Sequence, residues 1–267
     1  MIAMKIGFIG VGAMAKAIIK GLIASKVVTA GDINVHSAHE KNYVSFSKAT
    51  GVVSYKSNQT LVEQSDVVVL AVTPEMAKPV LQSVREQLNG KTLISIVGGM
   101  SISRLEEIGG YSLKILRALP NINVEIMAGM TALAANEQLD DAAKKQLGDL
   151  FQALGEISWQ PETAFGIFSA LAGSSPAYVD FFIDSLSRVG VKYGLSKAAA
   201  TKIAAQAVQG SAKMVLQSSQ TPFELIDQVS SPGGSTVAGL LAMEEAGFMT
   251  AVVKGIDATI QKNNQVD

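Results

Sequence analysis

The first 160 residues alternate short apolar runs with stretches that have the spacing of amphipathic helices. The apolar runs are rich in valine and isoleucine and hold few polar positions: KIGFIG, INVHS, GVVSY, DVVVLAV, TLISIVGG and LKILRALP. Strands of this kind are buried on both faces, as in a parallel sheet covered by helices on each side. The pattern therefore predicts a doubly wound α/β domain over residues 1–160.

The strand pattern stops after Pro161, and residues 161–267 predict an all-α second domain. Two helix starts are encoded locally, one at Ser196 and one in the capping box TPFE that begins at Thr221. The segment 178–189 is apolar on more than one face, and a small helical domain cannot bury all of it. We therefore predict subunit association, driven by Phe181, Phe182, Ile183, Leu186 and Val189.

Composition narrows the partners to small molecules. The net charge is −1 and charged residues make up 17% of the chain, so no basic stripe for nucleic acid is expected. There is no cysteine, and the two histidines, His36 and His39, are too few for a metal site. The apolar runs are far shorter than the roughly 20 residues that span a bilayer. We expect a cytoplasmic protein without a metal or a membrane segment.

The opening segment, MIAMKIGFIGVGAMA, resembles a signal peptide but is better explained as a buried strand. Gly10, Gly12 and Ala15 then form a G-x-G-x-x-A arrangement between a predicted strand and a predicted helix. Such a turn brings a pyrophosphate against the backbone at a helix N-terminus. This indicates a dinucleotide-binding domain of the Rossmann type, although a glycine-rich turn also occurs in other α/β folds.

The residues after the second predicted strand bear on the choice of dinucleotide. An acidic residue usually binds the ribose 2'-hydroxyl there, and this chain has Ser37, Ala38 and His39 instead. Ser37, His39 and Lys41 are suited to a 2'-phosphate, so we expect NADPH, with NADH as the alternative. The other interpretation is that all three are solvated loop residues.

A second glycine loop, SSPGGST, precedes an apolar helical run at residues 230–236. It offers unpaired N–H groups at a helix N-terminus and glycines that admit a ligand, as an anion site would. It can equally be a turn between two helices with a serine or threonine cap. On these residues alone, the capped turn is the better interpretation.

Several motifs together resemble the pyrroline-5-carboxylate reductase family over essentially the whole chain. They are FIGVGAMA, LAVTP at 70–74, LPN at 119–121, SALAGSSPAY at 169–178 and VSSPGGSTVAGL at 229–240. The resemblance implies a Rossmann domain, an all-α dimerisation domain, an active site shared across a homodimer, and often rings of dimers. It implies the reduction of 1-pyrroline-5-carboxylate to proline, the last step of proline biosynthesis.

The resemblance also implies which residues of this chain form the site. It implies cofactor contacts at Ile9, Gly10, Val11, Gly12, Ala13, Met14, Ser37, Asn58, Ala71, Val72, Thr73, Pro74, Ile96, Val97 and Gly98. It implies substrate contacts at Glu162, Ser235 and Thr236. The second glycine loop then becomes a cradle for the substrate carboxylate, to which Ser231, Gly233 and Gly234 also contribute.

The chain departs from the usual family pattern at four positions. Thr73 stands where lysine is common, Gly166 replaces an aspartate, and Ala172 and Ser175 replace a serine and a glycine. The missing lysine puts a contact between the Thr73 side chain and the cofactor in doubt.

Roles in catalysis follow from the chemistry of a cyclic imine. Thr236 is the candidate catalytic residue because its hydroxyl can hydrogen-bond the ring nitrogen, and Glu162 can favour the cationic imine by its charge. Asn121 is a candidate for orienting the cofactor amide, or else a turn residue at a strand end. Arg117 is better explained as a structural ion-pair partner.

Two other functions fit parts of the sequence. A β-hydroxyacid dehydrogenase would use a lysine, for which Lys192 is the candidate, although its place near a helix end suits a partner of the helix dipole. A dinucleotide-sensing regulatory protein would keep the first glycine loop but would not need the second.

Overall fold

The structure, a computed structural model, describes residues 4–263. The predictions made for residues 1–3 and 264–267 lie outside this range. The described chain divides between Gly173 and Ser174 into two compact units. The last strand ends at Trp159, so the segment from Gln160 to Gly173 belongs to the first unit although it carries no strand.

The first unit is built on one eight-stranded sheet. Its strands are β1 (Ile6–Ile9), β2 (Ile33–His36), β3 (Val53–Ser54), β4 (Val67–Leu70), β5 (Thr92–Ser95), β6 (Lys114–Pro120), β7 (Gly129–Ala135) and β8 (Gly155–Trp159). Their spatial order is β3-β2-β1-β4-β5-β6-β7-β8, and the first six run parallel. This confirms the doubly wound α/β fold, with the chain reversing direction across the sheet between β1 and β4.

The sheet is mixed, and an all-parallel arrangement is wrong for its last two strands. β7 pairs antiparallel with β6 because only a short 3₁₀ turn, Ile122–Ile126, joins them, and β8 pairs parallel with β7. Neither strand is apparent in the sequence. β7 reads GMTALAA and β8 reads GEISW, and alanine and glycine are poor indicators of a strand.

Helices cover both faces of the sheet. They are α1 (Ala13–Ala24), α2 (Glu40–Thr50), α3 (Asn58–Glu63), α4 (Pro74–Ser83), α5 (Ile102–Gly109) and α6 (Asp141–Gln152). All four residues of β4 are buried, and they alternate between two apolar clusters. Val67 and Val69 join the cluster that contains α1 and α6, while Val68 and Leu70 join the cluster that contains α4 and α5. Burial on both faces explains the continuous apolar run in the sequence.

The helical part of the chain begins with Glu162–Ala164, a short α7 (Phe165–Phe168) and a π-helical segment, Ser169–Ser174. The second unit follows with α8 (Ser175–Lys192), α9 (Lys197–Gln217), α10 (Pro222–Gln228), α11 (Ser235–Glu245) and α12 (Phe248–Asn263). Both predicted helix starts are confirmed. Ser196 accepts a hydrogen bond from the N–H of Ala199, and Thr221 and Glu224 form a capping box with Pro222 in the first turn.

The second unit exposes most of its large apolar side chains. Its described residues include few buried ones, among them Ala200, Ala204 and Ser187. Phe181 is 74% exposed and Leu216 is 80% exposed. None of the helices described is by itself long and apolar enough to cross a membrane, and α11 and α12 reach that criterion only as a pair bent by 49°.

Candidate active site

The first glycine loop lies at the carboxyl end of β1, as the sequence predicts. Gly10 has a φ of +103°, and a Cβ there would lie 2.3 Å from the carbonyl oxygen of Ala71 on the neighbouring strand. A side chain at Gly12 would meet nothing within 4 Å, so the space in front of this backbone is open. Ala15 is buried where α1 packs on the sheet. The loop can therefore admit a pyrophosphate at the N-terminus of α1.

A cleft of about 340 Å³ opens beside this loop. It brings together nine of the predicted cofactor residues: Ile9, Gly10, Val11, Gly12, Ser37, Asn58, Ala71, Val72 and Thr73. The sequence did not indicate five further lining residues: His36, Ala38, Asn42, Met76 and Val80. His36 could have been found, since it is the last residue of β2 and therefore points to the same edge of the sheet.

An unpaired polar atom supports a ligand in this cleft. The Oδ1 atom of Asn58 is buried and has no hydrogen-bond partner within residues 4–263. An unsatisfied buried acceptor costs about 1–3 kcal/mol, which a hydroxyl of a bound ribose would offset by donating to it. The open backbone at Gly12 and the free acceptor of Asn58 together fit a dinucleotide.

The residues after β2 divide into two groups. Ser37 lines the cleft, whereas His39 is exposed outside it at the start of α2 and caps that helix without a side-chain hydrogen bond. The His36 ring lies 5.1 Å from the ring of Tyr43, and its Nδ1 atom is 2.9 Å from the carbonyl oxygen of Tyr55. Ser37 is therefore the best placed of the three predicted contacts for a 2'-phosphate, since Lys41 is also exposed and outside the cleft.

Thr73 precedes Pro74 at the start of α4. A hydrogen bond from the Thr73 side chain, together with the N–H of Glu75, lowers the pKa of the Glu75 carboxyl. The Thr73 hydroxyl is thus turned to its own helix. Contacts with a cofactor at Ala71–Pro74 would come from the backbone, which does not require the lysine that is common in the family.

Of the other predicted cofactor residues, Ala13 and Met14 begin α1, and the rest of those outside the cleft include residues that follow β5 and β6. Val97 is buried, and its N–H bonds the Ser95 hydroxyl at 3.3 Å, while Gly98 faces open space. The amide of buried Asn121 makes two hydrogen bonds inside the first unit. It donates to the carbonyl oxygen of Ala172 at 3.0 Å and accepts from the N–H of Met130 at 3.2 Å. This supports the turn-residue interpretation of Asn121 rather than a contact with the cofactor amide.

In the second unit, the loop SSPGGST leads directly into α11. Gly234 is the N-cap residue, with no side-chain cap, and Ser235 and Thr236 are the first two residues of the helix. The alternative in which Ser235 or Thr236 caps this helix is therefore wrong. Among the described residues, the N–H groups of Ser235, Thr236 and Val237 find no acceptor.

Gly233 and Gly234 are each required for a different structural reason. Gly233 has a φ of +71°, which other residues rarely adopt, and a Cβ on Gly234 would lie 2.5 Å from the Ser231 hydroxyl. The N–H of Gly234 bonds the carbonyl oxygen of Ser231 at 2.9 Å. Ser230, which the sequence did not single out, has a buried Oγ without a partner in the described chain. The loop therefore presents free donors at a helix N-terminus, where an anion is stabilised.

Glu162, a predicted substrate contact, has partners within the first unit. Its Oε1 atom lies 2.6 Å from Nη1 of Arg117, and its carboxylate accepts a hydrogen bond from the N–H of Ile102. This confirms that Arg117 is an ion-pair partner. Lys192 lies in the last turn of α8, with Nζ 5.5 Å from the ring centre of Tyr193, which suits a dipole partner and not a catalytic base. No cluster of three metal-binding side chains occurs between residues 4 and 263.

Family models match both parts of the chain. The model described as NADP oxidoreductase, coenzyme F420-dependent, matches residues 5–99, and the model described as pyrroline-5-carboxylate reductase dimerisation matches residues 162–266. With the nucleotide loop and its cleft, the first match defines the class as an NADP-dependent oxidoreductase.

Relatives and solved structures name the family. Pyrroline-5-carboxylate reductase of Escherichia coli (strain K12) is 36% identical over 263 residues, covering 98% of both chains. The Plasmodium falciparum pyrroline carboxylate reductase structure with NADP bound has a TM-score of 0.89 and 33% identity, covering 98% of this chain and 97% of that one. The structure of 1-pyrroline-5-carboxylate reductase from Streptococcus pyogenes has a TM-score of 0.88 and 37% identity, covering 98% of both chains. The chain belongs to the pyrroline-5-carboxylate reductase family.

Proposed function

We propose that this chain reduces 1-pyrroline-5-carboxylate to L-proline with NADPH, the final step of proline biosynthesis. The observation that carries the proposal is the uncapped N-terminus of α11, where three backbone N–H groups stand free behind a glycine loop. The substrate is a small ring with one carboxylate and one imine. A site for it needs donors for the carboxylate and a polar group for the ring nitrogen.

The N-terminus of α11 meets the first need. The N–H groups of Ser235, Thr236 and Val237 can donate to the carboxylate oxygens, and the helix dipole adds a favourable field. Gly233 and Gly234 have no side chains that would obstruct the approach. Backbone donors are also fixed by the helix, so little conformational entropy is lost when the carboxylate binds.

Thr236 meets the second need. Its side chain is exposed and makes no hydrogen bond within the described residues, so the hydroxyl is free to accept a hydrogen bond from a protonated imine. This bond holds the proton on the ring nitrogen and keeps the adjacent carbon electrophilic. NADPH, when bound in the cleft of the first unit, supplies the hydride for that carbon. The product is the secondary amine of proline.

The preference for NADPH rests on Ser37 and on the missing carboxylate. Ser37 lines the cleft at the end of β2, where an acidic side chain would repel a 2'-phosphate. Asn58, with its free acceptor, is proposed to bind a ribose hydroxyl, and Gly10 and Gly12 to admit the pyrophosphate. The backbone of Ala71–Pro74 and Ile96–Gly98 completes the proposed cofactor site.

The proposed assembly is a homodimer formed by the helical unit, with rings of dimers as the larger form. The exposed apolar side chains of α8, α9 and α12 support it, because a monomer would leave them in water. The proposal places the enzyme in the cytoplasm, where a pool of reduced NADPH is available.

The test is a spectrophotometric assay with purified protein, 1-pyrroline-5-carboxylate and either NADPH or NADH. We expect the absorbance of the reduced nicotinamide to fall only when the imine acid is present. Proline should accumulate in equal amount. Oxidation of NADPH with hydroxyacid partners, or none with the imine acid, would contradict the proposal.

A further inference from the structure

The ion pair between Arg117 and Glu162 differs from the others in the described chain. Its side chains are 12% and 28% exposed, whereas each of the other pairs has both partners at least 36% exposed. Arg117 lies in the middle of β6, and Glu162 follows the end of β8. A short, half-buried pair of this kind is screened far less than a surface pair.

The surroundings hold Arg117 in one position. Its guanidinium lies 4.7 Å from the ring centre of Phe165, a stacking distance for arginine. On the adjacent strand its register partner is Ala134, whose small side chain leaves room for the arginine to extend along the sheet. Arg117 thus has a ring on one side and a carboxylate at its end, and little freedom to move.

Glu162 connects Arg117 to the helix α5. Its two carboxylate oxygens lie 3.0 and 3.2 Å from the backbone N of Ile102, the first residue of α5. α5 has no acidic residue of its own in its first turn, and Ser101 caps only the N–H of Arg104. The carboxylate of Glu162 therefore supplies the negative charge that stabilises the start of α5.

A loop connects the end of β5 to the N-terminus of α5. That loop contains Ile96–Gly98, which the proposed function assigns to the cofactor. Gly98 and Gly99 are exposed, and Gly99 has a φ of +68°, whereas Val97 and Met100 on either side of them are buried in the apolar core. The path of the backbone at the two glycines therefore depends on how the flanking residues are held, and Ile102 at the start of α5 is one of the residues that hold it.

We propose that Arg117 is a positioning residue for the cofactor, acting through Glu162 on the N-terminus of α5 and so on the loop 96–101. Glu162 is then a backbone anchor and not a substrate contact. This inference rests on the proposed function for the identity of the cofactor. It predicts that loss of Arg117 weakens NADPH binding while the affinity for the imine acid stays nearly unchanged.

The first measurement is the dissociation constant of NADPH, followed by cofactor fluorescence without substrate. Arg117→Met should raise it about tenfold, and Glu162→Gln, which keeps one acceptor oxygen, should raise it less. If Arg117 acts through Glu162, the double variant should bind NADPH no more weakly than Arg117→Met alone. Additive losses, or an unchanged dissociation constant in Arg117→Met, would overturn the proposal.

A second measurement needs neither cofactor nor activity. Hydrogen exchange of the free protein should be faster in Arg117→Met at the peptide that contains residues 96–104, and unchanged at β1 and α1. Arg104→Met is the matched control, because it removes an exposed ion pair from the same helix. It should alter neither exchange in the loop nor NADPH binding. If Arg104→Met and Arg117→Met had equal effects on exchange and on NADPH binding, the effect would not be specific to the Arg117–Glu162 pair, and the proposal would be wrong.

Kinetics separate this role from a substrate contact. Arg117→Met and Glu162→Gln should raise the KM for NADPH, with the KM for the imine acid within about twofold of wild type. If Arg117→Met does not fold, Arg117→Lys, which keeps the charge but not the stacked guanidinium, replaces it with the same expectations. If only the KM for the imine acid rose, Glu162 would be a substrate contact and the inference would be refuted. If wild-type protein bound NADPH but did not reduce the imine acid, the proposed function would be wrong, and the inference about Arg117 could still be tested by NADPH binding.

Discussion

Gly234 occupies the N-cap position of α11, where a serine, threonine, asparagine or aspartate would supply a capping side chain. A side-chain cap would use one of the free N–H groups to which the proposed function assigns the substrate carboxylate. With glycine as the cap, Ser235 and Thr236 fall within the first turn, and their hydroxyls are available to a ligand. Under the proposed function, this glycine leaves the N-terminus of α11 open to the substrate carboxylate.

Thr236→Ala tests the role of the hydroxyl. We expect kcat/KM for the imine acid to fall about 5- to 150-fold, the effect of losing a hydrogen bond of about 1–3 kcal/mol. Because Thr236 is not the cap, the free energy of unfolding should change by less than about 0.5 kcal/mol. Steady-state kinetics and denaturant unfolding on the same preparation measure both.

Thr236→Ser is the control for that substitution. It keeps the hydroxyl and should recover most of the activity, and neither variant should alter the dissociation constant of NADPH. An alanine variant of normal kcat/KM per folded molecule would remove Thr236 from the catalytic site.

Ser37→Asp tests the choice of cofactor. A carboxylate at this position in the cleft should repel a 2'-phosphate and accept hydrogen bonds from a ribose, so the ratio of kcat/KM for NADPH to that for NADH should fall at least about tenfold. Ser45→Asp makes the same charge change on an exposed face of α2 outside the cleft. A similar shift in that control would mean that net charge, and not the contact at Ser37, sets the preference.

At the scale of elements, α8 and α9 are joined by a charged cluster. Asp184 of α8 binds Arg188 at 2.6 Å and Lys197 of α9 at 2.5 Å, and Lys197 also donates to the hydroxyl of buried Ser187. The hydrogen bond from Lys197, followed by that from Arg188, lowers the pKa of the Asp184 carboxyl below its ordinary value of 3.8. The helical hairpin is therefore stabilised by a carboxylate that must stay ionised.

The sign of the pH dependence follows from this shift. A carboxyl whose pKa is lower in the folded state stabilises the protein above its unfolded pKa, and loses that effect as the pH falls through the folded value. Wild type should therefore lose thermal stability more steeply than Asp184→Asn between about pH 5 and pH 3. Thermal unfolding followed by circular dichroism at a series of pH values measures this. Parallel curves for the two proteins would assign the acid sensitivity to other carboxylates.

At the scale of the whole molecule, the helical unit has almost no apolar core of its own. Phe181, Leu216 and Tyr193 are each more than 70% exposed, and the buried residues of this unit include alanines that pack α8 against α9. Exposed apolar surface of this extent indicates an interface. A second copy of the chain is the expected partner, since the family model that matches this region is one of dimerisation.

Phe181→Asp should disrupt that association. Sedimentation velocity at low micromolar concentration should give at least a dimer for wild type, and a smaller or unfolded species for the variant, because a charge would be buried without a partner. Tyr111→Asp is the control, since Tyr111 is a comparably exposed aromatic residue of the first unit. A wild-type protein that is a folded, active monomer would disprove the dimer.

The sequence by itself determined the features that local chemistry encodes. The strands β1 to β6, the glycine loop after β1 and the starts of α9 and α10 could all be predicted from it. Each depends on residue types at fixed spacing, such as apolar runs for strands that are buried on both faces, or Thr221 and Glu224 for a capping box.

Only the tertiary structure decided the features that depend on residues distant in the chain. β7 and β8 are strands because they extend the sheet beyond β6, although their alanines and glycines do not favour one. The sequence left Asn121 either as a cofactor contact or as a turn residue, and its hydrogen bonds with Met130 and Ala172 favour the turn residue. Glu162 meets Arg117 and Ile102 across long stretches of sequence, and such contacts have no local signal, since they form only when the sheet brings the strands together.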